Sequence, residues 1–225
     1  MGYTLIYSQI YKFIPYLIKG AIISLQIAVL SFFIGMFLGL IFATIRTFGP
    51  KILDRLVVIY VTFFTNTPQL VQIYFLFFAL PEVGIMLSPF YAVLIGMTLN
   101  AAAYLSEIQR AGFISVKQEE LDAAKTLNFS IFQQVKYVIL PNIMQVLFPP
   151  LSNHYILMTL GTSMAAIFGV EELTGRALNI NSDTFRSVEI FSITALIYIC
   201  ITFLATFLLA IIGRYFFKAK IRIIQ

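Results

Sequence analysis

The chain has 225 residues, of which 60% are hydrophobic, 16% aromatic and only 11% charged. Soluble domains are close to half apolar and a quarter charged, so this balance excludes an ordinary soluble domain as well as a disordered chain. A net charge of +5 would suggest nucleic acid in a soluble protein, but in a membrane protein Lys and Arg report topology, and the single Cys200 excludes a disulfide scaffold.

A spanning helix needs roughly 20 apolar residues. Five intervals without Asp, Glu, Lys or Arg supply that length and predict transmembrane helices at about 20–45, 56–81, 87–106, 142–170 and 190–213. The first is far longer than a signal-peptide core and lacks a strongly basic leader, so it is expected to stay in the mature protein. It carries Gly35 and Gly39 as G-x-x-x-G, which admits close approach of another helix, either within the chain or across a dimer. In the second, the Phe63-Phe64 and Phe75 to Phe78 runs read as lipid-facing or bundle-filling. The fourth charge-free stretch is longer than one helix and contains Pro141 and Pro149-Pro150, which predicts a bend or a late start. The whole reads as an all-α integral membrane protein, one transmembrane domain over 1–225.

Polar groups at membrane depth face protein or a water-filled cavity, which makes them candidates for a substrate route. They are Gln72, Thr98, Asn100, Asn153, Thr162 and Ser163. Small hydroxyls such as Thr98 and Ser163 commonly satisfy carbonyls of their own or a neighbouring helix, whereas the amides of Gln72 and Asn100 are more costly to bury. His154 has no carboxylate nearby in its span and reads as a hydrogen-bonded structural histidine rather than a proton relay. Glu107, at the inner end of the third span, either binds a cationic substrate or pairs with Arg110 at i+3.

Cations in short loops stay on the cytoplasmic side. Eleven Lys and Arg residues follow spans one, three and five, Lys218, Lys220 and Arg222 among them, against four (Lys12, Lys19, Arg176, Arg186) on the other side. The N-terminus is therefore expected outside and the C-terminus in the cytoplasm. One cytoplasmic piece, about 107–140, is too long for a plain connection. Within it 116–127 reads as a short amphipathic helix with Leu121, Ala124 and Leu127 on one stripe, stopped by Asn128, a residue that tolerates the left-handed conformation. Ser130 with Gln133 is a capping box for a second helix that Pro141 is expected to end. Such a helix-turn-helix is either a surface loop packed on its own bundle or a docking knob.

The stretch Asp122-Ala123-Ala124, three residues, Asn128, nine residues, Val138-Ile139-Leu140-Pro141 resembles the EAA loop of the permease subunits of bacterial ATP-binding cassette importers. Thr67-Pro68-Gln69-Leu70-Val71-Gln72, the segment from Ala103 to Gly112, and Ser182-Asp183-Thr184-Phe185-Arg186 are similar to motifs of the polar amino acid permease family, which has the type I importer fold. The chain departs from that pattern at Asp122 (usually Glu), Asn128 (usually Gly), Thr65-Asn66 (usually Arg-Gly) and Leu160-Gly161 (usually Lys-Asp). The resemblance implies two permease copies or paralogues around one pathway in the bacterial cytoplasmic (inner) membrane. It further implies two copies of an ATPase subunit that carry ATP and Mg and dock around Glu120, Asp122, Ala123, Ala124, Leu127, Asn128 and Phe129, and an extracytoplasmic substrate-binding protein. Consistent with that, the sequence holds no G-x-x-x-x-G-K-[ST] phosphate loop, so ATP would be hydrolysed on another chain and this one binds no cofactor of its own. There is no metal-ligand cluster and no nucleophile with its base, which leaves an intramembrane enzyme nothing to work with. An ion-coupled amino acid carrier or channel is the alternative; it lacks support in repeats or midplane acids and leaves the 107–136 loop unexplained.

Overall fold

The computed structural model describes residues 4–217; Lys218, Lys220 and Arg222 of the predicted cytoplasmic cation cluster lie outside them. Every regular element among the described residues is helical. Two single turns, Tyr7–Gln9 and Tyr11–Phe13, lead into α1 (Ile14–Phe48). Then come α2 (Lys51–Thr65), α3 (Gln69–Tyr74), α4 (Pro89–Ile114), α5 (Gln118–Thr126), α6 (Ile131–Gln134), α7 (Leu140–Gly161), α8 (Leu173–Thr184) and α9 (Ser187–Phe217). The segments Tyr7–Phe48, Pro89–Ile114 and Ser187–Tyr215 are each long and apolar enough to cross a membrane, and the count rises to five if each of two bent pairs is one span. The long helices run several residues past their charge-free cores, which is why α1 begins at Ile14 rather than near residue 20.

The stretch expected as one span over 56–81 contains two helices, α2 and α3, with a break between Thr65 and Gln69. Pro68 has no N–H to continue the helix and sits in the extended region (ψ 132). A helix end leaves its last four carbonyls without intrahelical partners. Here three of them, and Thr62 O, which already accepts the Asn66 backbone N–H, are given side-chain donors. Thr62 O accepts from Asn66 Nδ2 (2.8 Å), Phe63 O from Thr67 Oγ1 (2.8 Å), Phe64 O from Asn100 Nδ2 (3.2 Å) and Thr65 O from the Tyr104 hydroxyl (3.3 Å).

Pro141 does not end the second hairpin helix. The chain passes from α6 through a widened π turn, Val135–Ile139, straight into α7. A proline frees the carbonyl four residues back, and a π turn placed there absorbs the irregularity. The same device precedes Pro81, where Phe75–Ala79 is a π turn. α7 also runs unbroken through Pro149 and Pro150, and the bend in this pair, 46°, falls later, between Phe168 and Leu173, at Gly169 with φ 81.

Two compact units emerge. One draws on Met1–Phe32, Pro68–Thr98 and Tyr155–Ala205. Its core joins Ile10, Leu17 and Ala21 to Leu173, Ala177 and Ile180 of α8 and Ile190 of α9. Within it the Glu172 carboxylate is fully buried and accepts from Ser24 Oγ (2.8 Å), the Tyr198 hydroxyl (3.0 Å) and the Gly175 N–H (2.8 Å), tying α1, α8 and α9 together. Glu189, equally buried, accepts from the Ile6 N–H (2.9 Å) and pairs with Arg186 (3.3 Å). Both acids stand just outside the predicted spans, so the charge-free intervals gave no hint that they are interior.

The other unit draws on Phe33–Thr67, Leu99–His154 and Thr206–Gln225. Its α1 and α4 halves touch backbone to backbone: a Cβ on Gly39 would lie 3.0 Å from Ser106 N and 3.1 Å from Ala102 O. The run Ala101, Ala102, Ala103 is buried on the α4 side of this contact. Gly39 therefore serves packing within the chain. A Gly39→Val variant is expected to lose about 1–3 kcal/mol through overpacking against atoms that cannot yield, read as a lower melting temperature of the purified protein in detergent.

Candidate functional site

The segment after α4 folds as a compact hairpin in the second unit. Lys117, in the extended conformation, opens α5, which ends at Thr126. Asn128 then takes the left-handed conformation (φ 55), so the chain reverses there without glycine. Ser130 caps α6 reciprocally: its Oγ accepts from the Gln133 N–H (3.3 Å), and its own N–H donates to Gln133 Oε1 (2.8 Å). Stop, turn and start thus follow from three side chains in the sequence. Gln134 Nε2 donates to Phe129 O (2.9 Å), which fixes the half-buried Phe129 in the turn.

The docking candidates divide by exposure. Ala123, Asp122 and Asn128 point to solvent, and Leu127 is 69% exposed. Ala124 is turned inward at 3% exposure, so the small pair does not form one exposed surface and the expected stripe of Leu121, Ala124 and Leu127 is buried only in part. Glu120 is half-buried and accepts from Asn142 Nδ2, holding α5 to the first turn of α7. Asp122 accepts from Gln118 Nε2 (2.9 Å) and Lys125 Nζ (3.2 Å), and these bonds, Gln118 first, hold its carboxyl below the usual carboxylate range. Ile131 and Phe132 follow the turn and were not among the docking candidates read from the sequence. They are 81% and 74% exposed, so that with Leu127 three large apolar side chains near the turn are exposed. The signal that could have found them was the capping box itself, which fixes where α6 begins and so which side chains follow the turn.

The membrane polar residues also separate. Gln72, Thr98, Thr162 and Ser163 belong to the first unit, and Asn100, Glu107 and Asn153 to the second. In the first unit α3, α4 and the end of α7 are neighbours: a Cβ on Gly96 would meet Ile73 Cγ1 at 2.6 Å, and one on Gly161 would have Gln69 Oε1 at 3.8 Å and Met97 Cε at 4.0 Å. Gln72 and Thr98 are buried there. Thr162 Oγ1 bonds back to Thr159 O (2.7 Å), as a structural hydroxyl does. Thr98 departs from that expectation, because its buried Oγ1 has no hydrogen-bond partner. Ser163 is half-buried and Asn153 exposed.

In the second unit Glu107 is paired rather than open. It binds Arg110 at 3.2 Å and also Arg46 of α1, which reaches toward Asp54 of α2 at 3.6 Å. Pairing with Arg110 was legible from the i+3 spacing, whereas the Arg46 partner, 61 residues away, was not. Asn100 is engaged in closing the end of α2. His154 is corrected: its Nε2 is buried without a hydrogen-bond partner, and its ring lies against Tyr104, centroids 5.7 Å apart.

Residues 35–218 match the family model described as a binding-protein-dependent transport system inner membrane component. The chain belongs to this family. The permease is 34% identical to the glutamine transport system permease protein GlnP of Escherichia coli over 92% of this chain and 96% of that one. It is 33% identical to the probable amino-acid ABC transporter permease protein PatM of Vibrio harveyi, over 88% and 89% of the two chains. Among solved structures it resembles an amino acid ABC transporter crystallised with histidines, with TM-score 0.86, 29% identity, and coverage of 94% of this chain and 99% of that one. The all-helical architecture of the permease thus agrees with that of an ABC importer subunit.

Proposed function

We propose that this permease, with a second copy or a paralogue, forms the import pathway for a polar amino acid across the bacterial inner membrane. The two bent pairs each count as one span, giving five spans and one transmembrane domain with the N-terminus outside. ATP and Mg are bound and hydrolysed on two separate ATPase subunits, and an extracytoplasmic binding protein delivers the substrate. The observation that carries this reading is the match over 35–218 to binding-protein-dependent transport components, together with curated relatives that transport glutamine and arginine. The exposed apolar corner of the 117–134 hairpin supports the assignment of ATPase docking to it, since large apolar side chains clustered at an exposed turn mark an interaction site. Ala123, Asp122, Leu127, Asn128 and Phe129 form that surface, while Ala124 and Glu120 position it. Gln72, Thr98, Thr162, Ser163, Asn100 and Asn153 remain the pathway candidates, and Glu107 joins them as a paired charge. Closure of the ATPases would move the hairpins as levers and switch the pathway between outward and inward access.

The test is gentle purification of the tagged chain from its native host. An ATPase subunit is expected in equal copy number with the permeases, and the reconstituted complex with its binding protein is expected to accumulate a polar amino acid only with ATP. A folded chain that emerges without any ATPase would replace ATP coupling with ion-driven flux.

A further inference from the structure

In the second unit α6 runs into α7 through the π turn Val135–Ile139, so that docking hairpin and long helix share one continuous backbone. A π turn is wider than the α-helix around it, and helices bend where one is inserted. Packing does little to stiffen this one, because none of its five residues is buried and Tyr137 is 58% exposed. A force applied at α6 alone is therefore taken up by bending at the turn before it reaches α7. α5 packs against this weak point and is tied to both sides of it. On the near side, Gln134 Nε2 donates to Phe129 O (2.9 Å), just beyond the end of α5, and the rings of Phe129 and Tyr137 meet with centroids 6.4 Å apart. On the far side, Asn142 Nδ2 of α7 donates to the Glu120 carboxylate of α5. The chain from Glu120 to Asn142 thus closes a triangle: its sides are α5, the run of α6 with the π turn, and one hydrogen bond. That bond has an ionised acceptor and both partners half-buried, which places it among the stronger hydrogen bonds.

We propose that the Glu120–Asn142 hydrogen bond is a brace across the π turn, through which movement of the docked ATPase passes from the hairpin into α7. This rests on the import reading above and adds to it the pair of side chains that links hydrolysis to transport. With the bond made, α5, α6 and the first turn of α7 move as one body. Without it the π turn bends and α7 stays behind. Glu120 and Asn142 are positioning residues, since neither is asked to touch ATP or the transported amino acid. The brace needs one carboxylate and one amide facing each other, and the pair serves equally with the two groups exchanged.

The experiment uses the assembled complex with its binding protein in proteoliposomes, supplied with labelled L-glutamine, L-histidine and L-arginine, and reads three quantities: ATPase retained, ATP hydrolysed and amino acid accumulated per ATP. Asn142→Asp keeps the shape of the side chain but sets two carboxylates against each other. It is expected to retain the ATPase and to hydrolyse ATP, while uptake per ATP falls at least fivefold. Adding Glu120→Gln to it restores a carboxylate–amide pair with the donor on the other helix, and at least half of the lost uptake is expected to return. Glu120→Gln alone keeps an acceptor oxygen for Asn142 and is expected to stay coupled. Unchanged uptake per ATP in the Asn142→Asp complex overturns the proposal, and so does a double variant as impaired as the single one, because the loss then belongs to the position and not to the bond. Should Asn142→Asp lose the ATPase, Asn142→Leu, which removes the donor without adding charge, is read in the same way; loss of the ATPase from both shows that the pair only shapes the docking surface and overturns the transmitting role. A wild-type complex that accumulates no amino acid with ATP overturns the import reading itself, and the brace with it.

Discussion

Replacing Ile131 and Phe132 together by Asp is expected to strip the ATPase from the permease without unfolding it. Both side chains are largely exposed, at 81% and 74%, so the isolated fold gains nothing from them. Burying a large apolar side chain in an interface contributes about 1.5–3 kcal/mol, and the double substitution also places two carboxylates where a partner would exclude water. The combined loss corresponds to an affinity drop of roughly 100-fold or more. The expected result is a chain of unchanged melting temperature that no longer retains ATPase in pull-down and shows no ATP-driven uptake. The hairpin keeps its shape in the variant because Asn128 and the Ser130–Gln133 box, which set its geometry, are untouched. Full retention of ATPase would move the docking surface elsewhere. A bulky substitution at Ala124 is a poorer probe, since that side chain is inside the fold and its replacement would disturb α5 itself.

The second large effect is expected from Glu172→Ala. That carboxylate is fully buried, and three donors from three different parts of the chain converge on it. Removing it orphans the Gly175 N–H, while Ser24 falls back on a longer bond to Gly20 O (3.3 Å) and Tyr198 on Thr174 (2.9 Å). An unmade buried bond with a small cavity costs about 2–4 kcal/mol, which for a chain of this size lowers the melting temperature by roughly 5–15 °C. Glu172→Gln keeps an acceptor oxygen for Gly175 and is expected to recover a substantial part of the loss, whereas Tyr198→Phe alone is expected to cost the smaller part. Thermal denaturation of the three variants in one detergent checks this order. Equal stability of all three would show that the carboxylate does not hold α1, α8 and α9 together.

Much of the hairpin was legible because its rules are local. Asn128 stops α5, Ser130 starts α6, and both act within four residues of themselves. The predicted 116–127 helix appears as Gln118–Thr126 for that reason. Prolines were harder to read. Pro68 breaks a helix, while Pro141, Pro149 and Pro150 do not, and the difference lies in whether the freed carbonyls find other partners. At Pro68 the neighbouring Asn66 and Thr67 and the distant Asn100 and Tyr104 donate to the carbonyls of the last turn. At Pro141 a π turn does the work within the helix. Polar residues in the spans showed the same division. Thr162 bonds its own helix, as a short-range argument expects, but Thr98 and His154 each keep an unpartnered buried atom that no spacing rule announces.

Taken alone, the sequence determined that the chain is a helical membrane protein, where its long apolar helices lie, how the 117–134 hairpin begins, turns and restarts, and which family its ordered motifs resemble. These follow from composition, from the length of charge-free intervals and from side chains acting within one helical turn. Only the tertiary structure decided that Glu172 and Glu189 are interior, that Glu107 belongs to Arg46 as well as Arg110, that Ala124 faces inward, and that α4 donates to the carbonyls at the end of α2. Each of these rests on a contact between residues distant in the chain, or on burial by such residues. The energy of such a contact depends on which helix faces which, and no local pattern records that.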